Sequence, residues 1–200
     1  MKTIKLLGID AAFANTGMAL CEYELETGSI IVNELRLCKT EADKANKKVV
    51  RKNSDDLRRT SESIDALDQA IDEFAPSFAI CEVPTGTQSA RSAWCLGIAV
   101  GVIGHVAKRV PLIQVTPKEV KDVTGLKFPD KAEMIEWAST KHPGANWPMQ
   151  TVKGVKSIVA GKAEHMADAV AVVHAGVRTT EFRGYLNLRT AILSGNVAIS

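Results

Sequence analysis

The sequence predicts an α/β fold, a mixed five-stranded sheet covered by helices on both faces. Three apolar strand-like segments joined by hairpins come first, and helices then alternate with short apolar strands. Hairpins give antiparallel neighbours, whereas helical crossovers give parallel ones, so this order predicts a mixed sheet. A chain of 200 residues is long enough to bury one substantial core.

The hairpin region contains three predicted strands. Residues 3–10 form an apolar run typical of a buried strand, and residues 17–24 and 29–37 follow it. Thr27-Gly28 separates the last two and indicates a tight turn.

A polar loop and an amphipathic helix come next. Residues 40–53 are Lys-rich and predict a long loop. Ser54 fits an N-cap, and apolar residues then recur at helical spacing, which predicts a helix over residues 55–74. Pro76 ends this pattern.

The second half of the chain alternates strands and helices. Its predicted elements are a strand at 78–83, an apolar helix at 89–108, a strand at 112–115, a short helix opened by Thr116-Pro117, and helices at 130–140 and 162–177. The intervening residues 142–161 are rich in Gly, Pro and Trp and predict an irregular or inserted segment.

Charge is unevenly distributed, although the net charge is only +2. The segment from Arg36 to Arg59 contains nine basic residues and four acidic ones. A second basic stretch runs from Lys118 to Lys162. Local basic density of this kind can contact phosphates. A solvated loop is the alternative interpretation of the first stretch.

Cysteine usage and hydropathy indicate a soluble cytoplasmic protein with no membrane partner. The four cysteines form no C-x-x-C pair, which disfavours zinc and thioredoxin-like sites. Asp10 interrupts the N-terminal apolar run, so a signal peptide is not expected. The apolar helix around Cys95 to Val106 is expected to be too short to span a bilayer.

Three acidic residues stand at the ends or faces of apolar elements. Asp10 ends the first strand, Glu82 ends the strand at 78–83, and Asp168 lies in the last apolar helix. A buried carboxylate is costly unless it is paired, hydrogen-bonded or bound to a metal ion. Sites in such sheets form beyond the strand ends, so the three acids predict a divalent metal site. A lone strand-end Asp more often simply begins a turn.

Several motifs together resemble the RuvC-type Holliday junction resolvases of the RNase H-like superfamily, in the right order over residues 3–177. The matching segments are Leu7-Gly8-Ile9-Asp10 with Asn15-Thr16-Gly17-Met18-Ala19-Leu20, Glu82 as the second acid, the basic element from Thr116 to Gly125 with Asp130-Lys131-Ala132, and His165-Met166-Ala167-Asp168-Ala169.

The resemblance implies an RNase H-like nuclease domain over residues 1–178, with a long loop at 38–54 and the insertion at 142–161. Residues 179–200 form a C-terminal extension without a counterpart. Family members often carry an aromatic residue shortly after the second acid, but Val83-Pro84-Thr85-Gly86 follow Glu82 here. This departure suits a phage or divergent member and leaves a broader branched-DNA or flap nuclease open.

The resemblance also implies catalytic and metal-binding roles for Asp10, Glu82, His165 and Asp168. Two Mg²⁺ ions per active site, with Mn²⁺ as the alternative, would be bridged by Asp10 and held separately by Glu82 and Asp168. His165 shares a helical face with Asp168 and is a candidate metal ligand or proton carrier. Glu164, one turn before Asp168, is a possible substitute.

Predicted DNA contacts come from the basic segments and from the helix after Glu82. The candidates are Lys118, Lys121, Lys131, Ser89, Arg91, Lys47, Lys48 and Arg51. The alternatives are solvated lysines and, for Ser89, an N-cap.

We therefore expect a metal-dependent endonuclease that resolves four-way junctions as a homodimer, whose two sites nick opposed strands. The apolar helix from Trp94 to Val106 is either part of the dimer interface or simply core. A non-catalytic DNA-binding module is one rival, which the three intact acids disfavour. Actin-like ATPases begin with a similar turn, but they need a second glycine-rich phosphate loop that this sequence lacks.

Overall fold

The computed structural model describes residues 2–46, 49, 51–83 and 86–193. Its elements in chain order are β1 (Thr3–Ala11), β2 (Asn15–Glu24), β3 (Ile30–Lys39), α1 (Lys52–Phe74), β4 (Phe78–Glu82), α2 (Ala90–Arg109), β5 (Leu112–Val115), α3 (Pro117–Asp122), α4 (Lys131–Lys141), β6 (Met149–Val152), β7 (Val155–Ile158), α5 (Ala160–Gly176) and α6 (Thr180–Leu193).

The main sheet is mixed and five-stranded, in the order β3-β2-β1-β4-β5. The hairpin-linked strands β1, β2 and β3 are antiparallel neighbours, while β4 lies parallel to both β1 and β5. This topology confirms the predicted fold class. The connections through α1 and α2 are helical crossovers, so each following strand runs parallel to its neighbour in the sheet.

Helices cover both faces of this sheet. Alternate side chains of β1 point to opposite sides, so Ile4 and Leu6 join one core while Leu7 and Ile9 join the other. The first core contains α3, α4 and α5, and the second contains α1 and α2. Helix α5 lies over the centre of the sheet, where its residues 169–173 are almost fully buried.

Three glycines allow α5 and the sheet to approach closely. A Cβ at Gly8 would lie 2.3 Å from the Ala169 carbonyl oxygen, and one at Gly17 would lie 2.0 Å from that of His165. At the far end of α5, a Cβ on Gly176 would lie 2.5 Å from the Ile80 side chain. The helix therefore rests on two strand positions that lack side chains and, at Gly176, itself lacks a side chain against β4, which fixes its depth and rotation.

Two local predictions need correction. Helix α1 begins at Lys52 with Arg51 at the N-cap position, so Ser54 lies within its first turn and is not the cap. Residues 142–161 are not wholly irregular, because β6 and β7 form an antiparallel hairpin. Its turn residues Lys153 and Gly154 both have positive φ, 50° and 82°, as a tight two-residue hairpin requires.

The C-terminal extension adds helix α6 to the edge of the first core. Phe182 is fully buried, and its ring meets Tyr23 and Phe78 edge-on at centroid distances of 5.1 and 6.1 Å. Tyr185 contacts Phe78 in the same way at 4.7 Å. Helix α6 is thus packed on the sheet through the aromatic side chains of Phe182 and Tyr185.

Helix α2 has 20 residues, from Ala90 to Arg109, and is offset by one residue from the predicted range of 89–108. By length and composition alone it could cross a membrane, so the expectation that it is too short is wrong. The mostly buried core helices of soluble proteins pass the same test; in α2 only 22% of the apolar window is buried, and Val102, Ile103 and Val106 belong to the second core.

Candidate active site

Asp10 and Glu82 lie side by side at the end of two neighbouring parallel strands. The β1–β4 register pairs Ile9 with Cys81, and each acid is the next residue along its strand. Ile80 joins the same core as Leu6, so strand alternation directs Glu82 and Asp10 towards α5. Burial and the charge of Asp10 raise the pKa of Glu82.

Helix α5 brings His165 to this edge. Its Nδ1 donates a hydrogen bond of 2.6 Å to Asp10 Oδ2, between residues 155 positions apart. Both side chains are largely shielded, with exposed fractions of 18% and 27%. The bond raises the pKa of His165 against the opposing effect of burial, so Asp10 both orients the imidazole and favours its charged form.

Asp168 lies one helical turn further along the same face of α5. Burial raises its pKa to about 7, and the negative charges of Asp10, Glu164 and Glu82 act in the same direction. His165 opposes this effect. The mutual influence of these groups places all four predicted catalytic side chains in one electrostatic cluster, which we call the acidic cluster (Asp10, Glu82, Glu164, His165 and Asp168).

Two of the predicted basic residues border this cluster. Lys131, the first residue of α4, forms an ion pair with Glu164, and Asp168 also contributes to raising the Lys131 pKa. Lys121, near the end of α3, partly offsets the rise in the Glu82 pKa that burial and Asp10 cause. Their ammonium groups are thus within electrostatic reach of the carboxylates while both residues remain exposed.

Other predicted DNA contacts have structural partners. Lys118 pairs with Asp122 on its own helix at 2.5 Å. Ser89 is the N-cap of α2 and accepts a hydrogen bond from the Ser92 backbone, so the capping alternative is confirmed. Arg91 binds the buried Asp56 carboxylate through both terminal nitrogens. These intramolecular contacts leave DNA binding by Lys118, Ser89 and Arg91 a prediction.

The basic loop is anchored beside the turn that follows Asp10. Thr40 donates its backbone N–H to Ala14 and its hydroxyl to the Phe13 carbonyl. Arg59 in turn donates to Thr40 and lies 4.0 Å from the centroid of the Phe13 ring. Arg51 is exposed at the start of α1. The predicted contacts Lys47 and Lys48 lie outside the described residues.

The predicted metal ligands do not form a ready-made metal site. Within the ranges that the structure describes, no three His, Cys, Asp or Glu side chains converge as a group able to hold an ion. Because His165 Nδ1 is engaged by Asp10, any metal bond from this ring would use Nε2. The assignment of ligands therefore stays a prediction.

Sequence reasoning missed two features that build the site. Gly17 pairs with Asp10 across the β1–β2 ladder and provides the space for the His165 backbone. The Lys131–Glu164 ion pair connects α4 to α5 beside Asp168. A glycine inside an apolar strand is a recognised signal of close backbone approach. The close contact at Gly17 could therefore have been predicted from the sequence.

Comparison with known proteins gives matches in structure alone. No protein-family model matches the chain, and no curated protein matches it. Thermus thermophilus RuvC in complex with a Holliday junction substrate aligns with a TM-score of 0.59 and 17% identity, over 86% of this chain and 92% of that one. A second Thermus thermophilus RuvC structure aligns with the same score and coverage at 18% identity.

A eukaryotic protein shows the same architecture. The yeast mitochondrial Holliday junction resolvase Ydc2 aligns with a TM-score of 0.53 and 11% identity, over 92% of this chain and 86% of that one. These alignments confirm the predicted resemblance at the level of the fold. The chain has the RNase H-like fold in the form found in RuvC-type resolvases.

Proposed function

We propose that this protein is a metal-dependent endonuclease that resolves four-way DNA junctions by paired phosphodiester hydrolysis. The observation that carries the proposal is the acidic cluster, in which Asp10 binds His165 and the charges of Asp10, Glu82 and Asp168 act on one another at one sheet edge. The structurally similar RuvC structure contains a Holliday junction, which supports branched DNA as the substrate.

The donor set of the acidic cluster fits Mg²⁺ or Mn²⁺. Carboxylate oxygens are the ligands that these hard cations prefer. Burial, with the neighbouring carboxylates acting in the same direction, raises the Asp168 pKa to about 7, and a divalent cation would relieve the repulsion among the carboxylates. Asp10, Glu82 and Asp168 would hold two ions, with His165 as a further ligand. When bound, the ions would supply an activated water and stabilise charge on the phosphate.

The protein groups around this cluster have roles of their own. Asp10 holds the His165 ring through the 2.6 Å hydrogen bond, so the imidazole is fixed in place and able to carry a proton. Lys121 and Lys131 would bind the phosphate next to the scissile bond and stabilise its developing negative charge. Glu164 keeps Lys131 close to α5 through their ion pair.

We also propose that the protein is a homodimer that pairs through the exposed face of α2. Trp94, Gly97, Val100, Gly101 and Gly104 share this face, and Trp94 and Val100 are 54% and 43% exposed. No atom lies within 4 Å of a Cβ built on any of the three glycines, so a second helix could approach closely. A symmetric dimer suits a substrate with two-fold symmetry.

Gly101→Glu is expected to shift the protein from dimer to monomer, because it would place a charge in the centre of this face. The side chain has open space within the monomer, so the fold should be retained. Sedimentation velocity would measure the change. Gly184→Glu is the matched control, since Gly184 is equally open but lies on α6. An unchanged dimer in Gly101→Glu would reject this interface.

The function is tested with a labelled immobile four-way junction, alongside matched duplex, flap and single-stranded DNA, in Mg²⁺ or Mn²⁺. Paired symmetric nicks in the junction alone are expected, and EDTA should prevent them. Equal cleavage of flaps would instead favour a broader branched-DNA nuclease. Binding without metal-dependent cleavage would favour a non-catalytic module, and ATP turnover without cleavage would favour the actin-like alternative.

We further propose a cytoplasmic location, in a bacterium or a phage-infected cell. All four cysteines are free thiols, as expected in a reducing compartment. Fractionation of expressing cells would test this.

A further inference from the structure

An exposed aromatic side chain lies on the loop between α3 and α4. Phe128 is 81% exposed and Leu126 on the same loop is 46% exposed. Burial of a phenylalanine ring contributes strongly to the free energy of folding, and the exposed Phe128 ring does not make this contribution. Neighbouring exposed apolar groups with polar surroundings are typical of an interaction surface.

The loop holds this ring in a defined place. Gly125 has a φ of 75°, in the left-handed region, and the Leu126 backbone donates to Thr124 Oγ1 at 3.0 Å. After Phe128, Pro129 is buried and Asp130 caps α4 in a reciprocal capping box. Both ends of the loop are therefore anchored while the Phe128 ring points outward.

Lysines surround the ring. The lining of an adjacent hollow of about 500 Å³ consists of Pro117, Lys118, Lys121, Asp122, Leu126, Lys127 and Phe128. Lys127 Nζ lies 6.0 Å from the centroid of the Phe128 ring. A lining that combines apolar side chains with three lysines and one acid complements a flat aromatic base carried between phosphates.

The same loop connects two residues that border the acidic cluster. Lys121 precedes it and acts on Glu82, while Lys131 follows it and pairs with Glu164. Phe128 is three residues before Lys131, so their Cα atoms are at most about 11 Å apart. At about 3.4 Å for each base step, Phe128 therefore lies within roughly three base steps of Lys131 along a DNA strand.

We propose that Phe128 stacks on an unpaired base of the DNA strand bound at the acidic cluster, with Lys118, Lys121 and Lys127 binding the flanking phosphates. Aromatic stacking tolerates any sequence but requires a base that has left its pair. The ring would thus make the enzyme favour strands with unpaired or opened bases next to the cleavage position. This inference rests on the proposed function for its substrate class.

The test measures DNA binding by proteins that carry Asp10→Asn, which prevents cleavage during the titration. All affinities are measured at one constant ionic strength, because phosphate contacts make DNA binding depend on salt. The probes are a duplex with a central unpaired bubble containing 2-aminopurine and the fully paired duplex. Phe128→Ala is expected to weaken binding to the bubble about tenfold while changing duplex binding little. It should also abolish the quenching of 2-aminopurine, which Phe128→Trp should retain.

Ile31→Ala is the matched control, because Ile31 is a 51% exposed apolar residue on β3. It should leave both affinities and the fluorescence unchanged. Equal binding of the bubble by Phe128→Ala and its parent would overturn the stacking role, as would equal weakening on bubble and duplex.

The outcome is separable from that of the proposed function. If the otherwise unmodified protein cleaves junctions but Phe128→Ala binds the bubble normally, the nuclease assignment stands and the stacking inference fails. If no DNA is cleaved and the bubble preference still depends on Phe128, the nuclease assignment fails and the stacking inference stands.

Discussion

Asp10→Asn is expected to lower junction cleavage at least about a thousandfold, while junction binding is unchanged or tighter. The substitution keeps the shape of the side chain but removes the charge at the centre of the acidic cluster. It weakens both the proposed metal binding and the 2.6 Å hydrogen bond to His165. A loss of about 4 kcal/mol of transition-state stabilisation corresponds to a thousandfold reduction in rate.

Binding should survive because the substitution removes a negative charge near the DNA phosphates. Cleavage is measured by single-turnover kinetics with the junction, and binding by titration of the same junction in Ca²⁺. Asp65→Asn is the matched control, since Asp65 is an exposed residue on α1. Cleavage by Asp10→Asn at the rate of this control would reject the assignment of the active site.

Gly17→Ala is expected to destabilise the fold by about 3 kcal/mol and to abolish cleavage in whatever protein still folds. The new Cβ would lie 2.0 Å from the His165 carbonyl oxygen and 2.4 Å from its carbonyl carbon. These are backbone atoms in a buried helix, so they cannot move aside as a flexible side chain would. Overpacking of a dense core typically costs about 1–3 kcal/mol.

The effect on cleavage has a geometric cause. The methyl group would push α5 away from β2, and His165 would lose its hydrogen bond to Asp10. Urea denaturation would measure stability, and the junction assay would measure activity.

Gly184→Ala provides the comparison, because Gly184 lies in α6 with no atom within 4 Å of a built Cβ. Alanine in an open helical position should stabilise the protein by up to about 1 kcal/mol. If Gly17→Ala were as stable and as active as Gly184→Ala, the close packing of α5 on β2 would be wrong.

Local patterns in the sequence were sufficient for most of the architecture. The apolar runs, the Thr27-Gly28 turn and the helical spacing before Pro76 predicted the sheet class and the order of its strands along the chain. They succeeded because strand alternation and helical periodicity arise from contacts between residues close in sequence. The hairpin of β6 and β7 escaped prediction because its short, exposed strands carry no such apolar pattern.

Local sequence patterns predicted only part of the candidate active site. The three acids could be found because each follows or faces an apolar segment, this placement predicted a shared metal site, and the family resemblance implied catalytic roles for them. The bond between His165 and Asp10 spans 155 positions and depends on how deeply α5 sits on the sheet. Only the folded chain shows that Gly8 and Gly17 permit this depth.

Tertiary structure also decided which charged residues are engaged elsewhere. Arg91 is a plausible phosphate contact in the sequence, but folding brings it to the buried Asp56 from 35 positions away. Lys131 is brought to Glu164 in the same way, beside the acidic cluster. The periodicity of a sequence indicates the direction of each side chain on its own helix or strand. The residue that this side chain contacts depends on how elements remote in sequence pack together, and that packing exists only in the folded protein.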